Sequence, residues 1–161
     1  GILEKGGGHN MAGGFTIKEE NIDSFRDFLI KNFENLKINS LDAHNLYLDT
    51  IIAPSAINEN FYKDIEVLEP FGSGNNEPKF VVEEIKVIKS NIIANNHIKC
   101  ILLGKDGSAF SSIAWNAVNS PLEKILSKSN KNSFNAAGKM KLNEWRGEKK
   151  IEFIIEDIAI N

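Results

Sequence analysis

The second half of the chain constrains the fold most strongly: its apolar residues alternate with period two, interrupted once by helical spacing. "KFVVEEIKVIKS" reads as a long strand whose apolar phase slips between Val82 and Ile85, as a bulge requires. "HIKCILL" alternates Ile98, Cys100 and Leu102, and "SAFSSIAW" makes a third strand. The interruption is "SPLEKILSKS", with Ser120 as N-cap, Pro121 at the first helical position, then Leu122, Ile125 and Leu126. "FNAAGKMKLNEW" and "KKIEFIIEDIAI" follow as a hairpin across Arg146-Gly147, with Gly138 suited to a barrel bend. Three strands, a helix and two strands is the order of the OB-fold, the five-stranded Greek-key barrel that binds oligonucleotides and oligosaccharides.

The first half mixes helix and strand, so the fold class is α+β. From Thr16 to Leu36 the apolar positions Ile22, Phe25, Leu29, Phe33 and Leu36 recur at helical spacing. Thr16 and Glu19 offer a capping box, or Lys18 to Glu20 form an acidic first turn. "NLYLDTIIA" reads as a strand ending at Pro54, after which Ser55 caps a second helix bearing Ile57, Phe61, Ile65 and Leu68. "EPFGSGNNEP", Glu69 to Pro78, is a turn-dense joint between two compositions. Residues 1–79 carry 7 Lys and Arg against 13 Asp and Glu, whereas residues 80–161 carry 12 against 9. A basic second half suits a polyanion, or is a solvated basic face. The resulting division is 1–54, 55–79 and 80–161.

Chemistry-bearing residues are few. "KGGGHNMAGG" spends five of ten positions on glycine and sets His9 among them. Amides of such a loop, leading into a helical turn, can cradle a phosphate, with His9 adding a polar contact; a plain glycine linker is the other reading. His44 and His97 are scattered, no His/Asp/Glu cluster has metal-ligand spacing, and no Ser-His-Asp or Cys-His arrangement can be nominated. The lone cysteine, Cys100, excludes an intramolecular disulfide, fits a reducing cytoplasm and reads as buried packing. No apolar run approaches the ~20 residues of a membrane span, so no membrane partner is expected. In the barrel, Phe110 and Trp115 read first as core fillers, with base stacking as the alternative. Trp145, Arg146, Lys149 and Lys150 surround the last hairpin, where an indole and cations can hold a single nucleic-acid strand. The chain opens "GILEKGGGH" without an initiating methionine, which suggests a piece of a longer protein.

Three motifs carry a resemblance. "KGGGHNMAGGFTIKEENIDSFRDFL" resembles the DHH-associated domain of RecJ-type single-stranded-DNA exonucleases, where a GGHxxAAG signature precedes a helix. "LEPFGSGNNEPKFVV" resembles that family's linker into its OB domain, and "LNEWRGEKKIEFIIEDI" its closing hairpin. Gly13 stands where alanine is usual and Asn76 where proline is usual; the first loosens the turn after His9, the second affects only the joint. The resemblance implies that residues 1–54 are the C-terminal portion of a DHH-associated domain and 80–161 an OB domain. It implies a 5′-to-3′ exonuclease of recombination and repair, cytoplasmic, dependent on Mg²⁺ or Mn²⁺ held by a DHH domain before residue 1. Gly7, Gly8 and His9 would then contact DNA phosphate opposite that metal centre, with His9 in a supporting catalytic role. Single-stranded DNA is the expected partner, other repair proteins are further ones, a monomer is expected, and the fragment alone is expected to be inactive. Two other classes stay open: a non-enzymatic OB module binding single-stranded nucleic acid or protein, and a small DHH-type phosphodiesterase, against which the appended barrel weighs.

Overall fold

A computed structural model describes residues 1–9, 12–35, 45–127, 132–145 and 147–160, with only the backbone of Glu34, Asn35 and Trp145. Two compact units divide the chain, Gly1–Leu46 and Tyr47–Asn161.

In the first unit the glycine stretch is not a loop leading into a helical turn. It forms two antiparallel strands, β1 (Lys5–His9) and β2 (Ala12–Thr16), in register from Lys5 opposite Thr16 to His9 opposite Ala12. Close approach needs glycine at one position above all: a Cβ on Gly8 would lie 2.5 Å from the Ala12 carbonyl oxygen. A short 3-10 turn, Glu19–Asn21, leads into α1 (Ile22–Asn35). Lys18 stands at the turn's N-cap with no side-chain cap, so the Thr16–Glu19 capping box does not form; Glu19 and Glu20 supply an acidic first turn instead. Phe25 of α1 meets Phe15 of β2 edge-on at 4.8 Å between ring centres. Leu36 and His44 lie outside the described residues.

The second unit is a closed mixed barrel. Its strands are β4 (Phe80–Ile93), β5 (His97–Leu103), β6 (Ala109–Ala114), β7 (Phe134–Trp145) and β8 (Glu148–Ile160). They run in the order β4-β5-β6-β8-β7, and β7 pairs back onto β4. All pairs are antiparallel except β6 with β8, the arrangement of an OB barrel. Helix α3 (Pro121–Leu126) sits between β6 and β7, its Leu122 amide donating to Ser120 Oγ and Leu126 fully buried. The expected bulge falls between Val82 and Ile85, where Glu84 adopts φ 54° and its amide donates to Asn135 Oδ1 at 3.0 Å. Gly138 lies at a second register shift, and a Cβ there would come within 1.9 Å of the Ile154 carbonyl oxygen. Val82, Ile85, Leu102, Phe134 and Phe153 form the buried centre, with Cys100 among them and its thiol pushed up by burial.

Residues 47–79 pack onto this barrel. The expected strand at 45–53 shortens to β3 (Thr50–Ile52), which pairs in parallel with the first residues of β4. Helix α2 (Glu59–Glu66) is capped not by Ser55 but by Asn58, whose Oδ1 accepts from the Asn60 and Phe61 amides. Ser55 lies in a 3-10 turn, and its amide donates to Asp106 in the β5–β6 turn. Phe61 packs on Phe80, with ring centres 5.6 Å apart. Within the joint, Asn75 Nδ2 donates to the Leu68 and Pro70 carbonyls.

Candidate nucleic-acid interface

Alternation along β5 sends Ile98, Cys100 and Leu102 inward and leaves Lys99 and Ile101 on the outer face. Register carries that outer face around the barrel, because directly opposed residues share a face. One row runs Lys89, Ile101, Ser111, Glu152, Lys141 across β4, β5, β6, β8 and β7. The next runs Asn91, Lys99, Ile113, Ile154, Lys139. A groove of about 890 Å³ opens on this surface, bordered by Ile93, Lys99, Ser111, Asn143, Lys150 and Glu152 among others. The strands and adjoining loops are those on which OB barrels carry oligonucleotides.

One of the carboxylates that line the groove is nearly buried. Glu152 is only 6% exposed. Its Oε1 takes the Lys99 ammonium at 2.5 Å and the Ser111 hydroxyl at 3.2 Å, and its Oε2 takes Asn143 Nδ2 at 2.9 Å. Burial pushes this carboxyl up, but hydrogen bonds from Lys99, Asn143 and Ser111 and the Lys99 charge outweigh it and hold the group below its ordinary value. Ile93 and Ile101 give the groove lining an apolar part, while Ile113, also on the outer face, is covered at 3% exposure.

Cations on this face are unequally available. Lys139 is engaged by Glu77 and Lys79 by Glu156 at 2.7 Å. Lys150 and Glu148 pair at 2.9 Å but both side chains are largely in solvent, where such a contact contributes little. Lys89 and Lys141 are exposed and make no ion pair among the described residues.

Ile93, the last residue of β4, lines the groove, and next to its register partner His97 Trp115 departs from its expected core position. Phe110 is buried and packs edge-on against Phe153 at 6.2 Å, whereas Trp115 is 53% exposed. Inward positions on β6 are Phe110, Ser112 and Ala114, so the next residue turns outward. Trp115 meets His97 edge-on at 4.6 Å, and His97 Nδ1 accepts the Asn116 amide at 2.9 Å. That bond fixes Nδ1 as an acceptor and steadies the aromatic pair beside Ile93, the register partner of His97.

In the β7–β8 hairpin, Lys149 and Lys150, as neighbours along β8, point to opposite faces. Arg146 and the Trp145 side chain lie outside the described residues. Lys150 stands opposite Asn143 on the groove face, and Lys149 stands opposite Glu144 on the other. Both lysines border a smaller hollow of about 310 Å³ near Asn58 and Glu59. Gly7, Gly8 and His9 belong to the other unit and are exposed on β1. Sequence reasoning passed over Lys99, Asn143, Glu152, Lys89 and Lys141. Period-two phase assigns them to the outer face, but a charged outward residue reads simply as solvated.

Among the described residues no three His, Cys, Asp or Glu side chains are grouped to hold a metal ion, and no helix is long and apolar enough to cross a membrane.

Comparison with known proteins agrees with this architecture. The family model for the RecJ OB domain matches residues 48–157. The single-stranded-DNA-specific exonuclease RecJ of Bacillus subtilis (strain 168) is 26% identical over 99% of this chain, which spans 20% of that protein. Its counterpart in Haemophilus influenzae is 29% identical over 98% of this chain and 27% of its own length. The chain thus spans about a fifth to a quarter of the curated relatives it matches. The crystal structure of RecJ with Mn²⁺ from Thermus thermophilus superposes with a TM-score of 0.63 at 20% identity, covering 99% of this chain and 22% of that one. A family match over more than half of the chain, on a barrel with the strand order it requires, places this chain in the RecJ OB domain family.

Proposed function

We propose that the barrel binds single-stranded DNA in the groove across β5, β6 and β8, and serves a 5′-to-3′ single-stranded-DNA exonuclease of recombination and repair in the cytoplasm. The observation that carries this reading is the groove itself: Lys99 and Lys150 line it with Ile93 and Ile101, exposed Lys89 and Lys141 end the strand row that crosses it, and exposed Trp115 packs on His97, the register partner of Ile93. Bases can stack on an exposed indole and an apolar floor while lysines follow the phosphates, a mode of binding that tolerates any sequence. The names of the curated relatives, and the Mn²⁺ and Mg²⁺ in crystal structures of Thermus thermophilus RecJ, support a metal-dependent nuclease as the whole protein. The described residues do not offer a fitting ligand set, so the metal is assigned to other parts of that protein and this chain alone is expected to release no nucleotides. Of the expected segment 1–54, the first unit, Gly1–Leu46, with Gly7, Gly8 and His9, is assigned to the DHH-associated domain, because Thr50–Ile52 pairs with the barrel strand β4. Their nearly side-chain-free strand lets a phosphate approach the backbone, and His9 supplies a polar contact.

Titration of a labelled oligothymidylate with the full chain at several salt concentrations tests the groove. Lys150→Ala should flatten the dependence of log K on log salt by about 0.7, the loss of one single-strand phosphate contact, while Lys149→Ala leaves it unchanged. Equal effects from both lysines, or none from Lys150, would move the binding surface away from this face.

A further inference from the structure

On the basis of that reading, we infer that Glu152 limits the affinity of the groove by withholding Lys99 from DNA, which leaves the phosphates to the lysines at the rim. Lys99 lines the groove, yet its ammonium is committed to Glu152 Oε1 at 2.5 Å. The carboxylate is fixed there by donors from three other strands: Lys99 on β5, Ser111 on β6 and Asn143 on β7. With both oxygens engaged and the side chain buried, Glu152 does not swing aside for a phosphate. Its negative charge in a low-dielectric setting would repel one. The neighbouring row repeats the pattern, since Lys139 is held by Glu77 and only Ile113 and Ile154 lie between it and Lys99. The Glu152–Lys99 pair therefore leaves the groove lining there without net charge and suited to bases, and the two exposed lysines of the Glu152 row, Lys89 and Lys141, stand at the two ends of that row. A strand held this way is free to shift along the groove, which an enzyme consuming its substrate from one end requires.

Glu152→Gln tests this directly. The amide keeps the side chain's shape, and Ser111 Oγ can accept from its nitrogen, so the barrel should retain its circular dichroism and melting behaviour. Freed of its counter-charge, Lys99 becomes one more phosphate contact. The slope of log K against log salt should steepen by about 0.7, which corresponds to about fivefold tighter oligothymidylate binding at 0.1 M salt. The double variant Lys99→Gln/Glu152→Gln should return the slope to that of the unmutated chain. A Glu152→Gln slope that is unchanged or shallower in folded protein overturns the inference. A measurement on the unmutated chain covers the case in which the variant fails to fold: lysine Nζ resonances of Lys89 and Lys141 should shift on adding oligothymidylate while that of Lys99 stays in place. Movement of Lys99 with the others also overturns it. If the unmutated chain shows no salt-dependent binding at all, the DNA-binding reading fails, and the role of Glu152 falls with it.

Discussion

The two units of this chain treat their apolar residues in opposite ways. In the barrel, Phe134, Phe153, Leu102 and Leu126 are buried by neighbours that the same hundred or so residues supply. In the first unit no described side chain is fully buried, and α1 leaves Phe28, Leu29, Ile30 and Phe33 exposed, Phe33 by 75%. Both segments show good apolar periodicity, so periodicity alone does not distinguish a helix with a core from a helix without one. What distinguishes them is the number of elements that return to cover the same face.

The sharpest way to break this comparison is to remove one large side chain from each unit. Phe153→Ala should lower the stability of the main urea-unfolding transition by about 3–5 kcal/mol, as expected for a fully buried aromatic in a closed core. Phe33→Ser should change it by no more than about 0.5 kcal/mol. A comparable loss from Phe33→Ser would mean that α1 is packed in solution, and the contrast would disappear.

Within the barrel the same logic separates inward from outward aromatics. Trp115→Ala should weaken oligothymidylate binding by about 1–3 kcal/mol, with stability altered by less than about 0.5 kcal/mol. A stability loss with unchanged binding would make Trp115 a packing residue despite its exposure.

The smallest expected effect is on acid stability. Glu152 has its folded-state value held below the unfolded one, so its contribution is present above about pH 4.3, the ordinary glutamate value, and is lost as pH falls through the folded value. Melting temperature followed downward from pH 5 should therefore fall less steeply for Glu152→Gln than for the unmutated chain. Parallel curves would show that the carboxylate is not favoured by its three donors.

How far the sequence could be read follows from the range of the interactions. The barrel order, the slip at Val82–Ile85, the Ser120–Pro121 helix start and the bend at Gly138 all rest on local rules, and the structure has each of them. The glycine strands escaped because glycine carries no side-chain pattern, and only the pairing of Lys5–His9 with Ala12–Thr16 reveals them. Asn58 displaced Ser55 as the cap because Ser55 is drawn to Asp106, fifty-one positions away in sequence. Trp115 was legible in principle, since strand phase turns it outward, but a tryptophan ending an apolar strand resembles core. Glu152 was not legible: its burial depends on Lys99, Ser111 and Asn143, which three separate strands bring together.

The position of β8 has a consequence for how the molecule is made. This strand lies between β6 and β7, pairing in parallel with one and antiparallel with the other, yet it follows both in the chain. While β8 is still inside the ribosome, β6 lacks one of its two neighbours and β7 has only its short pairing with β4. Closure thus waits on contacts between residues about forty positions apart, such as Ser111 with Glu152, and such non-local pairings form slowly. Until then the nascent barrel exposes strand edges and apolar faces, the condition in which a chain is prone to aggregate.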